Sequence, residues 1–326
     1  MKRNIALVAG GYSGEFEVSL RSAEQIFRNL DKDKYDVYRI VITRQSWYCE
    51  YEGEKTEVDR NDFSIRLDGR KITFDAAFIT VHGTPGENGL LQAYFDMISL
   101  PYTTCSSLVS AVTFDKAVCN ACVRELGIVD VAKNVHTFKD APLSVDQILS
   151  RVSLPVFVKP SEGGSSIGMS KVRTREELPQ ALDKAYAVHP KVLVEEFIEG
   201  REFSCGVMRL GGSVEAFPVT EIRPDTDFFD YDAKYNGLSK EITPAPVDEE
   251  LSERIRKATR DVYEGLSCNG VCRVDFIYDD AKDRLYFLEV NTTPGQSEQS
   301  IVPQQVRAMG KDTRWLYNTV LGQLDI

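Results

Sequence analysis

The sequence predicts an α/β protein that becomes α+β in its C-terminal part, with three successive units. Three observations carry this. Residues 5–9, Ile-Ala-Leu-Val-Ala, form an apolar run that ends at Gly10-Gly11, as a buried strand entering a tight turn does. Strand-like and helix-like segments alternate through the first hundred residues, which implies a parallel sheet with helices on its faces. The last third instead carries strands in succession, closing in a hairpin.

The first unit, 1–103, continues with Ala23, Ile26, Phe27 and Leu30 at helical spacing. Tyr35–Thr43 and Asp75–Val81 are rich in Val, Ile, Phe and Thr and read as strands. Leu90, Leu91, Tyr94, Phe95 and Ile98 mark another helix. The second unit, 104–195, opens with a helix around Ala111–Leu126. A strand at Pro155–Lys159, a Gly/Ser-rich loop at 161–168, a further strand, a helix over 174–187 and a strand at Val192–Glu195 follow. The third unit, 196–326, starts with strands at 202–210 and 213–222. Arg223–Pro246 is rich in Asp, aromatics and Pro without periodicity, as a functional loop is. Leu251, Ile255, Ala258 and Val262 define a helix. Strands at 271–278 and 285–291 pair around Asp279–Arg284, and the C-terminal region is helical.

Charge excludes one class of function. Thirty-nine basic against 50 acidic residues give a net charge of −11, which argues against general nucleic-acid binding. A few lysines and backbone amides still suffice to hold a nucleotide. No window approaches 18 consecutive apolar residues, so no membrane span is expected. The apolar run near Met1 is too short for a signal-peptide core, and a cytosolic location is expected. The seven cysteines are odd in number and scattered. Only Cys119 and Cys122 enclose two residues, within a helical pattern and with no second ligand pair, so neither zinc nor a disulfide framework is expected.

The hairpin carries the strongest chemical signal. Arg273 and Asp275 share one strand face, and Glu289 and Asn291 share another. In an unbulged hairpin centred on Lys282, Asp275 faces Glu289 and Arg273 faces Asn291. Opposed acids are costly unless a cation lies between them, and two carboxylates with an amide oxygen suit Mg²⁺. The competing reading is a solvated face. Val274, Phe276, Leu288 and Val290 count against it, because they supply an apolar opposite face.

Lys159 precedes Gly163, Gly164, Ser165, Ser166 and Gly168, a loop able to fold N–H groups around phosphate and close as a lid. It is not a Walker loop, since no Gly-Lys-Ser/Thr follows, and a plain flexible hairpin is the alternative. Glycines at 10, 11 and 14 miss the dinucleotide spacing. Glu15 beside them is either a substrate-ammonium ligand or an ordinary helix-start acid. His82, with Gly83, Gly86 and Gly89, sits at a strand end where ligands approach, though a lone histidine is often structural.

In this order the blocks GGYSGEFEVS (10–19), HGTPGENG (82–89), VKPSEGGSSIGMSKV (158–172), DYDAKY (230–235), RVDF (273–276) and LEVNTTPG (288–295) resemble the D-alanine–D-alanine ligases of the ATP-grasp superfamily, over nearly the whole chain. The resemblance implies a three-domain ATP-grasp architecture and ATP-dependent joining of two D-alanine molecules through an acyl phosphate, for peptidoglycan precursors. It implies that Asp275, Glu289 and Asn291 hold two Mg²⁺ or Mn²⁺ ions. Lys116, Lys159 and Lys234 would contact phosphates with Ser165 and Ser166. Glu195, Glu196 and Ile198 would meet the adenine, and Glu202 the ribose. Glu15 and His82 would flank the first D-alanine, and Glu15, Ser165 and Tyr235 would close the site. Arg273 and the Gly295 N–H would stabilise charge on the reacting carboxyl, and Ser300 and Ile301 would receive the second carboxylate. A homodimer is expected on the same ground.

Two positions depart from the family pattern. Asn88 stands where an aspartate is common, and Gln299-Ser300-Ile301 replaces His-Ser-Leu. Tyr235 favours an amine over a hydroxy acid as second substrate. The rival readings are another carboxylate–amine or D-alanine–D-lactate ligase, a nucleotide sensor without catalysis, and a Rossmann dehydrogenase, which the glycine spacing disfavours.

Overall fold

In the computed structural model of the chain, residues 2–164, 166–224, 239–324 and 326 are described. β1 (Arg3–Gly10) is buried on both faces. Ala6 and Val8 enter one core with Phe63, Leu91 and Phe95, while Ile5, Leu7 and Ala9 enter another. A strand covered on both sides reads as an unbroken apolar run, which is why it stood out in the sequence. Then come α1 (Phe16–Asn29), β2 (Tyr35–Ile42), β3 (Trp47–Tyr51), β4 (Glu54–Glu57), β5 (Ile65–Leu67), β6 (Arg70–Ile72), β7 (Ala76–Ile79) and α2 (Leu90–Met97). The sheet order is β4-β3-β2-β1-β7. β1 runs parallel to β2 and β7, but β2–β3 and β3–β4 are antiparallel. The parallel sheet expected from the alternation is therefore mixed. Its edge hairpin carries exposed charges and lacks the signature of a buried strand.

Next follow α3 (Ser107–Phe114), α4 (Lys116–Leu126), β8 (Asp130–Val131), β9 (Asn134–Phe138), α5 (Val145–Leu149), β10 (Val156–Pro160), β11 (Ser170–Val172), α6 (Leu178–Tyr186) and β12 (Lys191–Glu196). An antiparallel sheet, β11-β10-β12-β9, packs on α5 and α6. The single helix expected over 111–126 is two helices. Asp115 leaves helical geometry, and its carboxylate accepts from the N–H groups of Ala117 (3.1 Å) and Val118 (3.2 Å), which starts α4 afresh.

The remaining elements are β13 (Arg201–Leu210), β14 (Ser213–Ala216), β15 (Thr220–Pro224), β16 (Ser239–Ile242), α7 (Glu249–Gly265), β17 (Cys272–Asp279), β18 (Arg284–Asn291), α8 (Ile301–Ala308) and α9 (Thr313–Leu321). The strand expected over 213–222 is interrupted. β14 and β15 both pair with β13, and their register slips where Phe217 turns into the core. The path β16-β15-β13-β17-β18-β8 recruits β8 from the second unit, parallel to β18. Val274 and Phe276 pack here against Ile255 and Val262 of α7. The ends of the 223–246 stretch are the paired β15 and β16, and 225–238 lie outside the described residues. Val302, Val306, Leu316 and Tyr317 of the last two helices return to cover Ile5, Leu7 and Phe78 of the first sheet. Among the described residues no helix is long and apolar enough to cross a membrane.

Candidate active site

The hairpin register follows the spacing read from the sequence: Arg273 faces Asn291 and Asp275 faces Glu289. The ladder is not regular, however. Phe276 pairs with Phe287, so a bulge leaves Leu288 as an extra residue. Val274, Phe276 and Val290 fill the core as expected, but the bulge turns Leu288 out of it to line a cleft beside Glu289. Asp275 is buried. It accepts from Ser204 Oγ (2.6 Å) on neighbouring β13, from Arg273 Nε (3.0 Å) and Nη2 (2.8 Å), and from Asn291 Nδ2 (3.1 Å). Burial works against the Arg273 charge. Asp275, with Glu289 and Glu241, outweighs it and pushes the guanidinium pKa up.

The opposite wall carries lysines. The break at Asp115 sets Lys116 at the first position of α4. Its backbone N–H donates to Ser161 O (2.8 Å), and its Nζ reaches Gly163 O (2.8 Å) and lies 3.6 Å from Glu289. Asp115 holds this corner by accepting from Ser161 Oγ (2.5 Å) and pairing with Lys191 (2.8 Å). Burial would raise its pKa, but Lys191 and Ser161 outweigh that and lower it. Lys159, on β10, pairs with buried Glu195 across the ladder on β12.

Glu15 stands before α1 and lines the cleft. A Cβ placed on Gly164 would lie 2.9 Å from its carboxylate, so Gly164 sits close against this acid. Buried His82 uses both ring nitrogens. Nδ1 lies 2.9 Å from Thr293 O, which can only accept, so Nδ1 carries the proton and Nε2 takes one from Ser22 Oγ (3.2 Å). Burial lowers its pKa. A neutral ring that ties the first sheet to the C-terminal segment fits this arrangement. Glu87, quoted in the 82–89 block without a role, also lines the cleft. It accepts from the Gly83 N–H (2.7 Å), and burial, with Glu15 and Glu289 nearby, pushes its pKa up to about 8.

The cleft, about 760 Å³, also takes in Ser166, Ile198, Glu202, Gly295, Ser300 and Ile301. Glu196 does not join them: strand alternation turns its side chain to the Ser153 N–H (2.8 Å). Ser165, Lys234 and Tyr235 lie outside the described residues. The apolar walls Phe157, Met169 and Ile277 were not singled out from sequence, and Leu288 was expected on the core face. Phe157 and Ile277 lie inside apolar strand runs and Met169 in a loop, so none stands out as a cleft residue; Leu288 depends on the bulge. The oxygen donors of Asp275, Glu289 and Asn291 form a set that suits a hard divalent cation.

Two sheet units that face one cleft, lysines on one wall and carboxylates on the other, define an ATP-grasp enzyme. The family models for the N-terminus and C-terminus of D-Ala–D-Ala ligase match residues 4–105 and 127–322, and the chain belongs to the D-alanine–D-alanine ligase family. It is 44% identical over 315 residues to a D-alanine–D-alanine ligase of Phocaeicola vulgatus, covering 96% of this chain and 97% of that one. A Flavobacterium johnsoniae ligase is 41% identical over 98% of each. Among solved structures, the VanG D-Ala:D-Ser ligase of Enterococcus faecalis superposes with a TM-score of 0.88 at 33% identity, covering 99% of both chains. D-alanyl-alanine synthetase A of Vibrio cholerae gives 0.87 at 27% over 98% of both.

Proposed function

We propose that the chain joins two D-alanine molecules at the expense of ATP, through D-alanyl phosphate, giving D-alanyl-D-alanine, ADP and phosphate for peptidoglycan precursors. The observation that carries this is the facing of Asp275 and Glu289 beside Arg273 and within reach of Lys116. Opposed acids held in a cleft otherwise repel, and the first step of such a ligation needs charge compensation there.

Asp275, Glu289 and Asn291 would hold magnesium or manganese, two ions per site, whose charge offsets repulsion among phosphate oxygens. Lys116 and Lys159, with Lys234, balance the remaining phosphate charge, and the 161–168 loop with Ser165 and Ser166 covers it and excludes water. Glu195, Glu196 and Ile198 serve the adenine, Glu196 through its backbone, and Glu202 the ribose. Glu15 binds the first ammonium, next to neutral His82, and shares closure with Ser165 and Tyr235. Arg273 and the Gly295 N–H stabilise the oxyanion formed when the second amine attacks. Ser300 and Ile301 receive the second carboxylate. The units 1–103, 104–195 and 196–326, a homodimer and a cytosolic site of action belong to the same proposal.

A second reading keeps D-alanine as donor but changes the acceptor. The similarity to a D-Ala:D-Ser ligase favours including D-serine beside D-lactate. Phosphate release is measured with D-alanine, L-alanine, D-serine and D-lactate. D-alanine is expected to serve as both substrates. Asp275→Ala is expected to lower turnover by about 100-fold or more, the several kcal/mol of a lost charge-stabilising site. Tyr235→Phe shifts the choice of acceptor. Equal use of L-alanine would refute the assignment.

A further inference from the structure

Cys105 and a distant pair, Cys268 and Cys272, meet in the core behind the hairpin. The Sγ atoms of Cys105, Cys268 and Cys272 all lie within 4.8 Å of one another, and the three residues are 0%, 3% and 0% exposed. Cys105 Sγ is 3.6 Å from Cys272 Sγ. The carbonyl oxygen of Asn269 stands 3.2 Å from Cys105 Sγ and 3.7 Å from Cys272 Sγ, and the Asn269 N–H donates to Cys105 Sγ at 3.2 Å. The loop that delivers these groups is laid tightly on the segment before Cys105. A Cβ on Gly270 would lie 2.1 Å from Thr103 O, so only glycine allows the approach.

We propose that Cys105, Cys268 and Cys272, with the Asn269 carbonyl, form a buried site for a thiophilic divalent cation of the zinc class, separate from the oxygen-lined cleft. Zinc–sulfur bonds of about 2.3 Å in a tetrahedron separate sulfurs by about 3.8 Å, and sulfur from a carbonyl oxygen by about 3.6 Å. The observed 3.6 Å between the Cys105 and Cys272 sulfurs lies just under the first separation, and 3.2 and 3.7 Å from sulfur to oxygen bracket the second. The N–H donated to Cys105 Sγ supplies the outer hydrogen bond that thiolate ligands use. Three sulfurs select a soft ion over magnesium, which prefers oxygen. On binding, each thiol gives its proton to solvent, so occupancy rises with pH. Such an ion would tie the exit of the first unit to the root of the strand that bears Arg273 and Asp275.

The test uses the full-length chain, folded under reducing conditions with cadmium as the spectroscopic probe and then dialysed against excess magnesium. One cadmium per chain and a thiolate-to-cadmium charge-transfer band are expected. Asp275→Ala, which alters the cleft, and Cys122→Ala, outside the cluster, retain both. Cys105→Ala and the size-conserving Cys268→Ser weaken cadmium retention at least tenfold while keeping the far-ultraviolet circular dichroism of the parent. Absence of the band in the parent chain, or a band in Cys105→Ala equal to the parent's, overturns the proposal. So does a reducible Cys105–Cys272 disulfide found in the purified chain in place of bound metal.

Discussion

Glu87 carries the clearest electrostatic tension of any single residue. Burial, with Glu15 and Glu289 nearby, holds its carboxyl pKa at about 8 in the folded cleft, against an ordinary value near 4.5 in the unfolded chain. Between these values the unfolded chain holds fewer protons, so folding stability falls as pH rises. Glu87→Gln removes that dependence. Relative to the parent, the variant is expected to gain on the order of 1–3 kcal/mol between about pH 5 and about pH 8, the shift being discounted for solvent screening. Urea midpoints at the two pH values measure this, and parallel pH profiles for the two proteins would contradict it. The role of Glu87 was not legible in the sequence. An acid among glycines looks the same whether solvated or enclosed, and only the fold brings Glu15 and Glu289 near it. His82 shows the reverse: its setting at a strand end was legible, but its partners Ser22 and Thr293 come from elements distant in the chain.

Among the elements, the junction of α3 and α4 shows how one side chain places another. Asp115 caps α4, pairs with Lys191 and binds Ser161, and so sets Lys116 into the cleft. Asp115→Ala is expected to cost about 2–4 kcal/mol, part from the lost cap and part from leaving mostly buried Lys191 without its partner. Denaturant unfolding measures the cost; a loss under half a kcal/mol would mean, on the scale of ordinary surface changes, that the corner is held by other groups. The apolar pattern over 111–126 runs through this break because both helices bury the same kind of residue, which is why the sequence reads as one helix. The facing of Asp275 with Glu289 and of Arg273 with Asn291 was legible because each pair of polar residues is two apart on its strand, although the pairing nearer the turn is shifted by one. The bulge was not, since an extra leucine fits an apolar run as well as a regular one. The cysteine cluster was missed for a different cause: Cys268 and Cys272 enclose three residues and form a local pair that the sequence reading passed over, and the third member, Cys105, comes from a remote part of the chain.

Over the whole molecule, the chain closes on itself. The last helices cover the face of the first strand, where Tyr317 packs against Phe78 and its hydroxyl donates to Gln296 O (3.0 Å). His82 to Thr293, and the Gln296 N–H to Ser22, stitch the same seam. One face of the first sheet is therefore closed by the C-terminal helices, while the other keeps a core of its own around Phe63, Leu91 and Phe95. Tyr317→Ala is expected to cost about 3–5 kcal/mol. It should lower the stability of first sheet and cleft together, giving one coincident transition by near- and far-ultraviolet dichroism. Two separated transitions would show that the first sheet stands alone.

The extra residue in β18 has a consequence for how relatives of this chain can diverge. Excise Leu288, and Phe287 would still meet Phe276 while Glu289 still met Asp275. A one-residue deletion at that point therefore leaves the facing carboxylates and the interior in frame and trims only an oily patch of the cleft. Nature can retune that patch by length as well as by identity, without disturbing the chemistry one step along the strand.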